Sequence, residues 1–256
     1  MRASYPDVPS RFCCRAQNPV SPRQCTRGRS IPSSVMMRRR RCARSTGTRR
    51  CSAMFWDRVA PLYDAFENTV NRASYEGTAL AVGQMIGPGD EVLECACGTG
   101  AISAAIAPAC ARLVATDYSD GMLAQARKKL AKRSNVTVEQ ADITALPYAD
   151  DSFDVAVAGN VIHLLPDPEQ ALRELARVVR PGGTIILPTY VEPPKRKQGV
   201  IPALLARLGA GFERRFTPAS YRAFVEGMGY AEARYRLVRG RIPCVIAVLP
   251  NRKRWD

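Results

Sequence analysis

The chain is 256 residues long, 46% hydrophobic and 24% charged, with a formal net charge of +15. That length suits one domain with additions and a sizeable core, and no stretch reaches the roughly 18 consecutive apolar residues that a membrane span needs, which excludes a helical integral membrane class. The nine cysteines are odd in number and lack the spacing of a disulfide framework, which points to a reducing, cytoplasmic compartment.

The charge is unevenly spread. Residues 1–53 hold 13 arginines, no lysine and one acid, Asp7, so this tail carries +12 and leaves only +3 for the remaining residues. It is rich in Pro and Ser, has no apolar periodicity and contains the run Arg38 to Arg41, so it is expected to be disordered. Three meanings stay open for it: a dispensable extension with Met36 or Met54 as the effective start, an organellar transit peptide, or a nucleic-acid contact. Transit peptides are Arg- and Ser-rich and acid-poor. A nucleic-acid role rests on charge alone, because no aromatic pattern interleaves with the arginines. Cys13, Cys14 and Cys25 do not complete a zinc spacing with His163, the single histidine, so no metal is expected.

The folded part is expected over 54–256. Phe55 to Asp64 and Tyr75 to Ile86 carry apolar residues at helical intervals, the second run ending at Gly87-Pro88-Gly89. From Glu91 onward, apolar runs at 91–95, 112–116, 136–140, 153–158 and 183–188 alternate with helical stretches at 101–109, 120–133 and 168–179. Such alternation implies a doubly wound, mainly parallel α/β sheet with right-handed crossovers. The segment 190–217 interrupts it, with a basic run Lys195, Arg196, Lys197, a helical run Ile201 to Leu208, and Arg214 and Arg215 as candidate contacts for an anionic acceptor. Thr217 and Pro218 open a further helix to Met228, stopped by Gly229. Two strands at about 231–238 and 242–249 close the chain as an edge pair.

Chemistry concentrates in EVLECACGTG, residues 91–100. It reads as a strand, a tight glycine turn and a helix, and glycine lets the backbone of such a turn approach a ligand closely. A dinucleotide fingerprint requires a third glycine where Ser103 stands. Instead there is Glu94, four positions before Gly98, which repels a phosphate and suits an ammonium group. Asp117 ends the second strand, where a carboxylate can accept both hydroxyls of a ribose, and Asp142 ends the third. Ligands of such sheets bind beyond the carboxyl ends of the strands, which is where Glu94, Asp117, Asp142 and Asn160 fall. Cys95 and Cys97 read as packing residues around the turn.

Four segments in order, EVLECACGTG, ATDYSDGML, EQADITALPYADDSFDVAVAGNVIHLL and ELARVVRPGGTIIL, resemble the successive motifs of class I S-adenosylmethionine-dependent methyltransferases, nearest the ubiquinone and menaquinone biosynthesis group. The resemblance covers residues 54–250. It implies a Rossmann-like seven-stranded sheet with the last strand antiparallel, a helical cover over 54–89, and a substrate-side insertion over 190–217. It further implies that Glu94 and the turn Ala96, Cys97, Gly98, Thr99 and Gly100 face the methionine part of S-adenosylmethionine. Asp117, with Tyr118 and Met122, would hold the ribose side, and Asp142 with Ile143 the adenine. Asn160 would line the cofactor or substrate, or cap the next turn. Tyr63 is a lid candidate, against a reading as an aromatic staple. His163 is placed near the transferred methyl, as a base or as a residue orienting its loop. Ala96 is a departure, since many members of the family that the chain resembles carry glycine there.

The expected activity is direct in-line methyl transfer from S-adenosylmethionine to an N, O, C or S atom of a small-molecule acceptor, by a monomer or weak dimer without nucleic acid. Methyl transfer to RNA or protein through the basic tail is the alternative enzyme. A regulatory protein that binds S-adenosylmethionine without turnover is the alternative from another class.

Overall fold

The computed structural model describes residues 55–192 and 214–252. The arginine tail, the Lys195 to Lys197 run and the helix expected over Ile201 to Leu208 lie outside the described residues. Helix α1 covers 55–70, followed by α2 (Arg72–Gly83), β1 (Glu91–Cys95), α3 (Ala101–Ile106), β2 (Arg112–Asp117), α4 (Asp120–Leu130), β3 (Val136–Gln140) and β4 (Phe153–Ala158). A 3-10 turn (Ile162–Leu164), α5 (Pro168–Val178), β5 (Val179–Tyr190), α6 (Pro218–Gly227), β6 (Arg234–Val238) and β7 (Cys244–Pro250) complete the order.

The seven strands form one sheet in the order β3-β2-β1-β4-β5-β7-β6. β3, β2, β1, β4 and β5 run parallel, and β7 pairs antiparallel with β5 on one side and β6 on the other. The expected edge pair is therefore present, with the last strand one position in from the edge. Between β1 and β4 the order of winding reverses, which opens a crevice at the strand ends.

Strand alternation separates two cores. Leu93, Val114, Ala156, Ile185 and Val245 face α5 and α6 through Leu172, Leu175, Tyr221 and Val225. Their neighbours Val92, Leu113, Val155, Ile186 and Ile246 face α2, α3 and α4 through Val82, Ile106 and Leu123. Each fully buried Leu, Ile or Val contributes about 1.5–3 kcal/mol, so a sheet covered on both faces holds its strand ends firmly. Tyr221 pins α6 by donating its hydroxyl to the Leu187 carbonyl at 2.8 Å.

Several boundaries differ from the periodicity. Helix α1 continues six residues past Asp64, because Glu67 finds a buried partner and no breaker intervenes before Asn71. Asn71 closes the joint to α2: its Oδ1 accepts Ile242 N–H at 2.9 Å and its Nδ2 donates to Ile242 O at 3.1 Å, as a strand neighbour does. Helix α2 starts and ends three residues before the expected Tyr75 to Ile86. Strand β5 begins at Val179 rather than 183. Its register against β4 shifts between Phe153–Val179 and Val155–Thr184, a bulge that absorbs Gly182 at φ 81°. Tyr190 therefore belongs to the strand, not to the following insertion.

Candidate active site

The glycine turn is built from three left-handed residues: Ala96 (φ 54°), Gly98 (φ 56°) and Gly100 (φ 81°). They reverse the chain between β1 and α3, and Cys97 N–H donates to Thr116 O at 2.8 Å, tying the turn to β2. A Cβ added at Gly98 meets nothing within 4 Å, so this face of the turn is open. Gly100 faces inward instead, where a Cβ would press on Leu130 and Ala126 at 3.3–3.4 Å. Cys95 and Cys97 are buried thiols; burial pushes Cys95 up to about 12 and Cys97 well above its ordinary value, so neither is a nucleophile at neutral pH.

Glu94 is 1% exposed and accepts the Ser103 hydroxyl. Burial pushes its carboxyl up to about 8, although the Ser103 bond opposes this and the Asp117 charge adds to it. Ser103 stands where a dinucleotide turn has its third glycine, so the residue that excluded that fingerprint serves the acid that replaced it.

Asp117 is half-buried at the end of β2 and is held from two sides. Gly98 N–H donates to its Oδ2 and Ser119 N–H to its Oδ1, both at 2.9 Å. Burial raises its carboxyl; the backbone donors Ser119, Gly98 and Tyr118 partly offset that. A carboxylate oxygen has two lone pairs, so each retains acceptor capacity for a hydroxyl. Ala141 N–H donates to Asp117 O at 3.2 Å, which brings the end of β3 alongside. There Asp142 Oδ1 accepts both the N–H (2.9 Å) and the hydroxyl (2.7 Å) of Thr144. Ile143 belongs to the core that faces α5, Tyr118 is 43% exposed, and Met122, in the first turn of α4, is buried.

Asn160, just past β4, is left-handed at φ 52°. Its side chain does not cap the following turn: Oδ1 accepts Tyr190 N–H at 2.9 Å while its own N–H donates to Pro188 O at 2.8 Å, joining the ends of β4 and β5. His163, in the 3-10 turn, is 8% exposed and burial lowers its imidazole to about 4. Its backbone carbonyl accepts Arg214 N–H at 3.1 Å, and the Arg214 guanidinium donates to Leu165 O at 2.7 Å. Arg215 reaches Glu192 at 3.5 Å. Both arginines thus have protein partners.

Periodicity did not single out the acids of α1. Asp57 Oδ1 accepts the Ser119 hydroxyl at 2.6 Å and Gly121 N–H at 3.0 Å. Asp64 accepts from Thr99 Oγ1, from Tyr75 OH at 2.8 Å and from Lys129 Nζ at 2.6 Å. Burial raises its carboxyl, but the bonds from Lys129, Thr99 and Tyr75 outweigh that and hold it below the ordinary value. Glu67, 6% exposed, accepts Tyr190 OH at 3.1 Å, and burial raises it. Tyr63 lies edge-on to Trp56 at 6.0 Å; burial, then the Glu67 charge, raises its hydroxyl well above the usual range. The spacing 57, 64, 67, 71 marks one helix face and was the available signal.

The open face at Gly98 and the spare acceptor capacity of Asp117 leave room and lone pairs for a ligand that carries neighbouring hydroxyls. Among the described residues there is no group of His, Cys, Asp and Glu that could hold a metal, and no helix long and apolar enough to cross a membrane.

Residues 93–187 match the family model described as a methyltransferase domain. The chain is 37% identical over 145 residues to a demethylmenaquinone methyltransferase of Clavibacter sepedonicus, a match covering 56% of this chain and 59% of that one. It is 33% identical over 225 residues to a demethylmenaquinone methyltransferase of Mycobacterium sp. (strain JLS), covering 78% of this chain and 94% of that relative. Among solved structures, DhpI in complex with SAH superposes with a TM-score of 0.60 at 20% identity, covering 81% of this chain and 98% of DhpI. That last likeness speaks to the fold alone.

Proposed function

The chain belongs to the S-adenosylmethionine-dependent methyltransferase family that includes the demethylmenaquinone methyltransferases, with S-adenosylmethionine as methyl donor, and from that premise we propose that its acceptor is a reduced, demethylated quinone methylated at a ring carbon. The observation that carries this is the collinear match to the mycobacterial relative over 94% of that protein's length.

In this reading the open face of the Ala96-Cys97-Gly98-Thr99-Gly100 turn receives the aminoacyl end of the donor, with Glu94 buried behind it against Ser103. Asp117 accepts the ribose hydroxyls, with Tyr118 exposed beside it, and Asp142 and Ile143 bound the base. Bound S-adenosylmethionine supplies an electrophilic methyl on its sulfonium. The protein's part is to hold the acceptor in line at contact distance and exclude water. Asn160 sets the cleft wall by joining the ends of β4 and β5, and α1, with Tyr63, closes it from above. An imidazole held near 4 is neutral and a weak base at physiological pH, which favours His163 as the residue that orients its loop through Arg214 over one that removes a proton. The hydroxyls of a reduced quinone make its ring electron-rich, so a ring carbon attacks the methyl without a strong protein base; the CH3–S bond breaks to leave a neutral thioether, and the ring proton is then lost to solvent.

The test is to supply the full chain with S-adenosylmethionine and either demethylmenaquinone under reducing conditions or a panel of simple amines, phenols and thiols. Mass spectrometry then locates the added methyl. Ring-methylated quinone is the expected product. Methylation of a panel member without any quinone product would overturn the acceptor assignment while leaving the methyltransferase family intact.

A further inference from the structure

We propose that Asp57 and Asp64 of α1 are positioning residues for the Asp117 carboxylate, so that seating of α1 on the sheet and binding of a ribose diol are one coupled event. This rests on the assignment of Asp117 to the ribose given above.

The geometry is a double grip. Asp117 is held at Oδ2 by Gly98 N–H and at Oδ1 by Ser119 N–H. Thr99, the residue after Gly98, gives its hydroxyl to Asp64, and Ser119 gives its own hydroxyl to Asp57. Each backbone donor to Asp117 is therefore fixed, at the donor residue or one residue away, by an acid of α1. Seven residues separate the two acids, about 10.5 Å and two turns along one helix face, which lets one helix reach both turns.

The contact at α4 is close. A Cβ at Gly121 would lie 2.8 Å from Asp57 Cα and from Asp57 O, so only glycine lets α1 settle there. Ser119 also caps α4, its Oγ accepting Met122 N–H at 3.1 Å while donating to Asp57. On the Asp64 side, Lys129 and Tyr75 converge on the same carboxylate, so α1, α2, α4 and the glycine turn meet at one group. Bonds from charged groups of this kind are the stronger class and hold orientation well.

Charge opposes position here, which separates the two explanations. Asp57 is a like charge near Asp117. Deleting Asp57 relieves repulsion, so any weakening of ligand binding on its removal reports lost geometry. Coupling of this kind is also reciprocal: a ligand that needs Asp117 in place must stabilise α1.

The experiment measures binding of S-adenosylhomocysteine, and of its analogue lacking both ribose hydroxyls, to the full chain by calorimetry. Asp57→Ala and Asp64→Ala are expected to weaken S-adenosylhomocysteine about 10-fold, within the usual span of coupling between sites. The diol-free analogue is expected to bind Asp57→Ala as it binds the unaltered chain, and to lose less than S-adenosylhomocysteine with Asp64→Ala, because Asp64 also holds Thr99 of the turn that faces the aminoacyl end. Asp57→Asn retains an acceptor for Ser119 and is expected to recover most of the affinity; it also serves if the alanine variant fails to fold. S-adenosylhomocysteine, but not the analogue, is expected to slow amide exchange over 55–70. Equal loss for both ligands would make α1 a plain cover and overturn the proposal, as would no loss for either. Asp117→Ala is the control: if it does not distinguish the two ligands, the ribose assignment itself fails. If it does and the α1 variants do not, only the positioning role fails.

Discussion

Ser103, on the first turn of α3, gives its hydroxyl to the carboxylate of Glu94 at the end of β1, and both side chains are sealed from solvent. Burial raises Glu94 to about 8 from an ordinary 4.5. The folded chain therefore keeps the proton that the unfolded chain releases, so this group's contribution is fully present below about 4.5 and lost as pH rises through about 8. Urea unfolding across that window should show the stability of the unaltered chain falling relative to Glu94→Gln. A pH-independent difference between the two would contradict the buried placement. Ser103→Ala, which strips the acid of its donor, should destabilise by about 1–3 kcal/mol.

Ala96→Gly should stabilise the chain. Ala96 is held at φ 54°, a left-handed conformation that costs an L-residue about 1–2 kcal/mol. Glycine removes that strain and loses about 0.4–1 kcal/mol through its freer unfolded state, for a net gain of about 0.5–1 kcal/mol. A higher urea midpoint with an unchanged slope is the expected result.

His163 is the single histidine of the sequence, so its imidazole gives one proton resonance to follow. Burial lowers it to about 4. The unfolded chain takes up a proton near 6.5 that the folded chain refuses, so this group's contribution is present above about 6.5 and lost on acidification towards 4. The resonance should stay constant between about pH 5 and 8, the range in which an ordinary histidine titrates. A midpoint near 6.5 would show the ring in solvent.

Asn160→Ala should cost about 2–3 kcal/mol, because it leaves Tyr190 N–H without its acceptor and puts alanine at a left-handed position. Asn160→Asp, which keeps the acceptor and tolerates that backbone, should recover most of it. Chemical unfolding of both variants checks this.

Most of the fold was legible because its signals are local. Apolar runs of five or six residues bounded by turns announced β1 to β4, the Thr217-Pro218 start and Gly229 stop framed α6, and the spacing of Gly98 and Gly100 marked the left-handed turn that meets Asp117. β5 was read short because Gly182 and Gly183 look like a terminator. They sit in a bulge that only pairing with β4 reveals. The acids of α1 look like a solvated face until the helix is laid on the sheet, since Asp57, Asp64 and Glu67 find partners at Ser119, Thr99 and Tyr190, from 35 to 123 residues away.

By itself, the sequence determined the alternation of strand and helix, the left-handed turn after β1 and the acids at the strand ends, because hydrophobic period and backbone freedom act between near neighbours. Only the tertiary structure decided that β7 enters between β5 and β6, that Asn160 ties β4 to β5, and that α1 holds both turns around Asp117. Those outcomes depend on which distant groups satisfy one another once water is excluded, and a buried carboxylate such as Glu94 is stable only where the fold brings a donor to it.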